Sequence, residues 1–346
     1  MVERRSVAPN VAGSIPVSHP NLPNSMTTIP SSHTGWLCLP AICLCGLLLC
    51  GPLALAGGSS GAPRSSPTPI RIEVQDAQGV RVASPATQPA SSKTNSAVLA
   101  FDREYQPGDR IVIAGPQRIA VRVDETIPEC VLYLPVASQQ SFSYEIPYGR
   151  EEKQTGSAYA PESFSGKSHR ITVRALNKKE LNAYRNLALN PCDLRQADDV
   201  SAPFFPHASS NSVSRSLFDF EARNAIDGVI QNGHHGVWPY QSWGPQLRTD
   251  LWWKLDFGRP VDLDKIRLMV RADFPHDSYW KSADVEFSDG SHVAIQIGSS
   301  AGFQDFSFPK RRISWLRLTN LVPLDPARWS SFIEVEAWGR DVTTRH

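Results

Sequence analysis

The sequence predicts an all-β protein of two β-sandwich, jelly-roll-like domains behind an N-terminal export or anchoring segment. Three observations carry that expectation. Apolar and polar residues alternate with a period of two from Ile70 to the C-terminus. Glycine, proline and aspartate punctuate these runs at short intervals, as hairpins require. No long stretch shows the 3.6-residue period of an amphipathic helix.

The elements follow in chain order. Residues 1–35 are polar and rich in Pro, Ser and Asn, and read as a disordered leader. Residues 36–56 then form an apolar run without a charged side chain, long enough for a signal peptide and nearly long enough to cross a bilayer. Ala54-Leu55-Ala56 has the small-x-small form of a signal-peptidase site, and Met26 offers a second possible start. A retained membrane anchor is the alternative to cleavage. Residues 57–69 read as a Gly/Ser/Pro linker. Four of the six cysteines lie in the apolar run, which leaves Cys130 and Cys192; in an oxidising compartment these two could pair.

Residues 70–180 are expected to form the first sandwich, of no assigned role. Ile119, Val121 and Val123 alternate with Arg118, Arg122 and Asp124; Phe142, Tyr144, Ile146 and Tyr148 repeat the device, as do Ile171, Val173 and Ala175. Around Asn177 the alternation stops, and LNKKELNAYRN is expected to make a helical turn or two. The second sandwich is expected over residues 185–340. DLWWKLDFG puts Leu251, Trp253, Leu255 and Phe257 on one face. DKIRLMVRAD places Ile266, Leu268 and Val270 inward, with Arg267, Arg271 and Asp273 outward. ADVEFSDGSHVAIQIG reads as a hairpin turning at Asp289-Gly290, and ISWLRLTNL as a central strand.

RNLALNP, ARNAIDG, DLWWKLDFG, FSDG and IEVEAWG, in that order over Arg185 to Arg340, resemble the discoidin or coagulation factor 5/8 type C domain. That family belongs to the galactose-binding-like sandwiches, many bacterial members being carbohydrate-binding modules. The resemblance implies an eight-stranded jelly roll, a ligand site in the loops at one end, and often a structural calcium ion. In the family, the region of Asp227 contributes to the ion site together with an acidic residue of the last strand. Asp227 and Asn224, with Glu334 or Glu336, are the metal candidates. Calcium prefers six to eight oxygens, and a carboxylate buried among rings is costly without a cation. The Gln231–Thr249 insertion and RADFPHDSYW depart from the family pattern, so its ligand residues do not transfer.

Those two departures hold the candidate binding residues. In NAIDGVIQNGHHGVWPYQSWG, large partly polar rings sit between glycines and prolines, where no strand period applies. Trp243 is expected to plug the sandwich end, while Trp238 and Tyr240 could stack on a pyranose face. RADFPHDSYW adds Arg271, Asp273, His276, Asp277 and Trp280, and His235 completes the set. If the two loops meet, guanidinium and carboxylate groups can read paired hydroxyls.

Carbohydrate is thus the expected ligand, a cell-surface protein bound by the same rings the alternative. The histidines and Asp277 could hold zinc, and Asp273 with Asp277 could serve acid and base roles in a carbohydrate-active enzyme. No HExxH or GxSxG spacing supports catalysis, and the protein is expected to be non-catalytic. A net charge of +1 offers no basic field for nucleic acid.

Overall fold

The structure, a computed structural model, describes residues 68–83, 95–136, 139–151, 154–194 and 202–342. The leader, the apolar run and most of the Gly/Ser/Pro stretch lie outside the described residues. Among those described, no helix is long and apolar enough to cross a membrane.

The first sandwich packs two four-stranded antiparallel sheets face to face. One has the order β2 (Arg81–Ala83), β1 (Arg71–Gln75), β4 (Arg110–Ala114), β7 (Ser141–Glu145); the other β3 (Ser96–Asp102), β8 (Ser168–Ala175), β5 (Arg118–Arg122), β6 (Cys130–Tyr133). Alternation sets the inward face: Ile119, Val121, Phe142, Tyr144, Ile171 and Val173 are buried in one core. Tyr148 is the exception, being 50% exposed. Its strand ends at Glu145, so the period no longer governs it, and its N–H donates instead to Thr155 Oγ1 at 3.1 Å. The expected helical turn is α1 (Lys178–Leu181), started by a capping box in which Asn177 accepts from the Glu180 N–H and Glu180 accepts from the Asn177 N–H.

The second sandwich is one continuous sheet folded around a single core, in the order β13 (His292–Gln296), β12 (Trp280–Phe287), β14 (Gln304–Pro323), β11 (Trp253–Val270), β15 (Phe332–Asp341), β9 (Arg185–Asn186), with β10 (His207–Ser210) paired to β11. The long strands β11 and β14 make this possible. β11 pairs with β10 through its first residues and with β15 through its last, and the register breaks between Asp256 and Val261. At that break Gly258 has φ +64°, and a Cβ there would lie 2.1 Å from the Phe205 ring. Only glycine permits the approach. Trp253, Leu255 and Phe257 before the break, and Val261, Leu263, Ile266 and Leu268 after it, all enter the same core. Each such side chain contributes roughly 1.5–3 kcal/mol on burial.

Past the expected boundary between 180 and 185, β9, Leu187 and Ala188 join the second sandwich, and the chain then returns to the first core. Cys192 and Phe204 belong to the first core, and Leu189 and Leu194 pack against it; Phe205 exchanges backbone hydrogen bonds with Tyr133 at 2.9 and 3.0 Å. The segment leading into β10 thus fastens the two sandwiches together. Buried polar contacts reinforce it. Ser157 donates to Asp219, and Arg223 Nη1 donates to Tyr159 Oη at 2.5 Å.

Candidate functional site

The loops over residues 211–252, 271–279 and 324–331 precede or follow β11, β12, β14 and β15 at one end of the second sandwich. Backbone bonds tie them together: Ala272 N donates to Asn232 O at 2.8 Å, Ser278 N to Trp329 O at 2.8 Å, and Leu324 N to Tyr279 O at 2.8 Å. The two sequence stretches that departed from the family pattern do meet.

The structure divides the expected binding residues into two groups. His235, Asp273 and His276 share the rim. His235 Nδ1 lies 2.8 Å from Asp273 Oδ2, and the His235 and His276 rings stack at 4.6 Å between centroids with planes 6° apart. The hydrogen bond from His235 holds the Asp273 carboxyl below its usual range. Tyr240 is half-buried, its ring 5.4 Å from that of His234.

The remaining expectations need correction. Arg271 does not face water: it is 4% exposed, its Nε donates to Asp277, and its guanidinium lies over the Phe220 ring. The cause is a register shift between Met269 and Val270 that ends the strand's alternation and turns Arg271 under the loop. Asp277 is 3% exposed and committed to that ion pair. Neither group is free to read hydroxyls from solvent. Trp280 is 3% exposed, because it is the first inward residue of β12 rather than a loop residue; it stacks on Trp243 at 6.3 Å. Trp243 plugs the end as expected, with no exposed surface. Trp238 is half-buried against the first sandwich, its N–H donating to Ser157 O at 2.8 Å, and it lines a crevice with Ile127, Ala158 and Asp227.

Beside Trp280 lies a hollow of about 600 Å³. Its walls are Leu247, Leu251, Leu321, Val322 and Leu324, with Arg248, Lys281, Asn320 and Arg328 at the margin. Trp280 Nε1 and Ser330 Oγ are buried there without a hydrogen-bond partner among the described residues. The two marginal arginines are held by carboxylates, Arg248 by Asp250 and Arg328 by Asp325 at 3.3 Å. Sequence reasoning missed this wall. LVPLDPARWS carries the same signal as the opening loop, a ring between prolines in a break between strands, but its aliphatic residues read as strand continuation. Trp329 of that segment turns the other way, to a small cavity it shares with His235, His276 and Asp277.

A second polar cluster occupies the base of the loops. Asp227 Oδ1 accepts from Val229 N and Oδ2 from Gln241 Nε2, both at 2.8 Å, while Glu334 Oε2 accepts from Gly228 N at 3.2 Å. Burial pushes the Asp227 carboxyl up to about 7. Burial and then the nearby Asp227 charge push Glu334 well above its usual range. Gln241 Oε1 is buried with no hydrogen-bond partner among the described residues. A buried carboxylate, a half-buried one and an orphaned amide oxygen fit a hard divalent cation. Glu336 does not belong to this set, since Arg267 Nη1 and Trp338 Nε1 hold it at 2.8 and 2.6 Å. Asn224 acts as a staple, its Nδ2 donating to Phe218 O at 2.6 Å and Ser242 O at 3.4 Å.

No family model matches the chain, and no relative is found among curated proteins. Solved structures similar to it include chitosan-binding module 1 of a chitosanase/glucanase from Paenibacillus sp. IK-5, at 20% identity and a TM-score of 0.32, covering 44% of this chain and 98% of that one. A Streptococcus pneumoniae fucose-binding module, SpX-3, is similar at 18% identity and a TM-score of 0.31, over 46% of this chain and 98% of the module. The family 32 carbohydrate-binding module of C. perfringens NanJ, solved with galactose, is similar at 13% identity and a TM-score of 0.30, over 38% and 91%.

Proposed function

We propose that the C-terminal sandwich is a non-catalytic carbohydrate-binding module that takes a glycan in the hollow beside Trp280. The observation that carries this reading is the hollow itself: aliphatic walls for the C–H face of a sugar, and a margin of Arg248, Asn320 and Arg328 for its hydroxyls. Its volume lies within the range of small-molecule sites, about 300–1,000 Å³. The guanidiniums are already oriented by Asp250 and Asp325, which lowers the entropy lost on binding.

Calcium is the cation this reading assigns to Asp227, Glu334 and Gln241 Oε1, where it would brace the loop that carries Trp243. The charge-free run at residues 36–56 is the ground for placing the protein outside the cytoplasm, secreted or anchored in the cell envelope.

A glycan-array screen of the purified protein, with Arg328→Ala beside the parent chain, tests the reading. Retention of a defined glycan is expected, weakened at least tenfold by the substitution and displaced by free monosaccharide. Retention that both free monosaccharide and Arg328→Ala leave untouched would move the glycan out of this hollow. Silence across the array removes the reading.

A further inference from the structure

We propose that His235, His276 and Asp273, with Asp277 as a fourth donor, form a site for a first-row divalent transition ion of the zinc type. One ligand atom from each of the four residues can be chosen so that all lie within 4.8 Å of one another. A tetrahedral ion with bonds of about 2.1 Å needs its donors about 3.4 Å apart. The widest separation must therefore close by little more than an ångström. His276 is 55% exposed at its side chain and His235 29%, so rotation about their side-chain bonds can supply that movement.

His234 is not one of the four donors, although its Nδ1 lies 3.8 Å from Asp273 Oδ2. His234 instead turns back to accept the His235 N–H at 2.8 Å. The pair that matters is His235 with His276, one from each loop, stacked across the carboxylate of Asp273. Asp273 Oδ2 lies 2.8 Å from His235 Nδ1 and 3.8 Å from His276 Nδ1, and Asp277 Oδ1 lies 3.2 Å from His276 Nδ1.

Donor chemistry selects the ion. Two imidazoles with carboxylates suit zinc and its neighbours, whereas calcium takes oxygen ligands and is served by the other cluster. Arg271 neutralises Asp277 and fixes its orientation, acting as the outer support that ligating carboxylates usually have. With Asp277 paired to Arg271, the donor set carries about one net negative charge, from Asp273. The cavity of about 50 Å³ beside His235, His276 and Asp277 leaves room for a water on the ion. Such an ion would cross-link the two rim loops through side chains, where the structure shows one backbone bond from Ala272 to Asn232.

The inference stands independently of glycan binding, and its test uses none. The full chain is stripped with chelator and supplied with excess calcium to fill the oxygen site. Zinc is then titrated calorimetrically, and cobalt by visible absorption. One equivalent of zinc is expected to bind with micromolar or tighter affinity. His235→Ala and His276→Ala should each lose that equivalent or weaken it at least tenfold, and abolish the cobalt d–d bands. Asp273→Asn, nearly isosteric and safe for folding, should weaken it likewise, while His292→Ala on the far hairpin should not. No zinc uptake at roughly 100 μM free ion, or an equivalent that survives His276→Ala and Asp273→Asn unchanged, overturns the assignment.

Discussion

Cys130 and Cys192 offer the sharpest test of how the two sandwiches are joined. Both are buried, at 1% and 0% exposure, and both stand as free thiols. Cys130 sits on β6 of the first sandwich, and Cys192 in the segment that enters the second. A hydrogen bond with Cys192, followed by burial, pushes the Cys130 thiol well up from its ordinary value. Refolding the reduced chain in a glutathione redox buffer should therefore close a disulfide between them. The loop so closed holds roughly 60 residues, and the chain-entropy relation gives about 4 kcal/mol of stabilisation for that length. For a body of this size, each kcal/mol moves the midpoint by about 2–4 °C, so the oxidised form should melt roughly 10 °C higher. Once folded, the reduced protein should oxidise slowly, since a buried thiol with a raised value presents little thiolate. Peptide mapping identifies the bond, and calorimetry of oxidised and reduced samples measures its effect. If mapping finds both thiols free after redox refolding, or the melting points coincide, the two side chains are not held as the packing implies.

Two further tests address the loops and the joint. In chelator, Asp227 with a folded-state value of about 7 holds a proton that the unfolded chain, near 3.8, has lost. The contribution of Asp227 to stability should therefore be greatest below about pH 4 and decline up to about pH 7, by no more than about 4 kcal/mol. Urea midpoints across that range should fall in the parent, stay flatter in Asp227→Asn, and be restored at neutral pH by calcium. A parent curve that rises from pH 4 to 7 contradicts the raised value. Tyr159→Phe removes the oxygen that accepts from Arg223 at 2.5 Å and from Tyr144 at 3.0 Å. Arg223, fully buried, then relies on Glu221, and a loss of about 1–3 kcal/mol is expected in equilibrium denaturation; a change below a few tenths would show that the joint does not depend on this bond.

Strands were legible where one face is dry and the other wet, as over Ile119–Val123 and Leu251–Phe257, because burial enforces the period of two. The method failed at strand ends. Continuing the alternation points Arg271 outward, past a register shift that has already ended it, and Trp280 reads as a loop residue because the hairpin pattern becomes visible only from Ala283, three positions on. Both errors have one cause. A bulge or a strand start changes which face a side chain takes without leaving a residue-type signature, since arginine and tryptophan are compatible with either face. The return of the chain to the first core is not legible in the sequence for a related reason: Leu189, Cys192 and Phe204 lie in a segment without periodicity, and only the packed structure shows which core they fill.

The same reasoning explains why the polar clusters could be sensed but not sorted. Sequence proximity grouped Arg271, Asp273, His276 and Asp277 as one polar loop facing a ligand. Folding splits them by depth, and depth decides chemistry. Arg271 and Asp277, excluded from water, are obliged to neutralise each other, because either charge alone would cost several kcal/mol there. That pairing removes them from recognition and makes them a rigid floor. Asp273 and His276, left at the surface, keep lone pairs for something else. Asp227 and Glu334 are the opposite case, neighbouring carboxylates without a basic partner in direct contact among the described residues, so desolvation favours their protonated forms. One loop end thus presents three environments: carboxylate oxygens below, imidazoles at the rim, and an aliphatic hollow beside them.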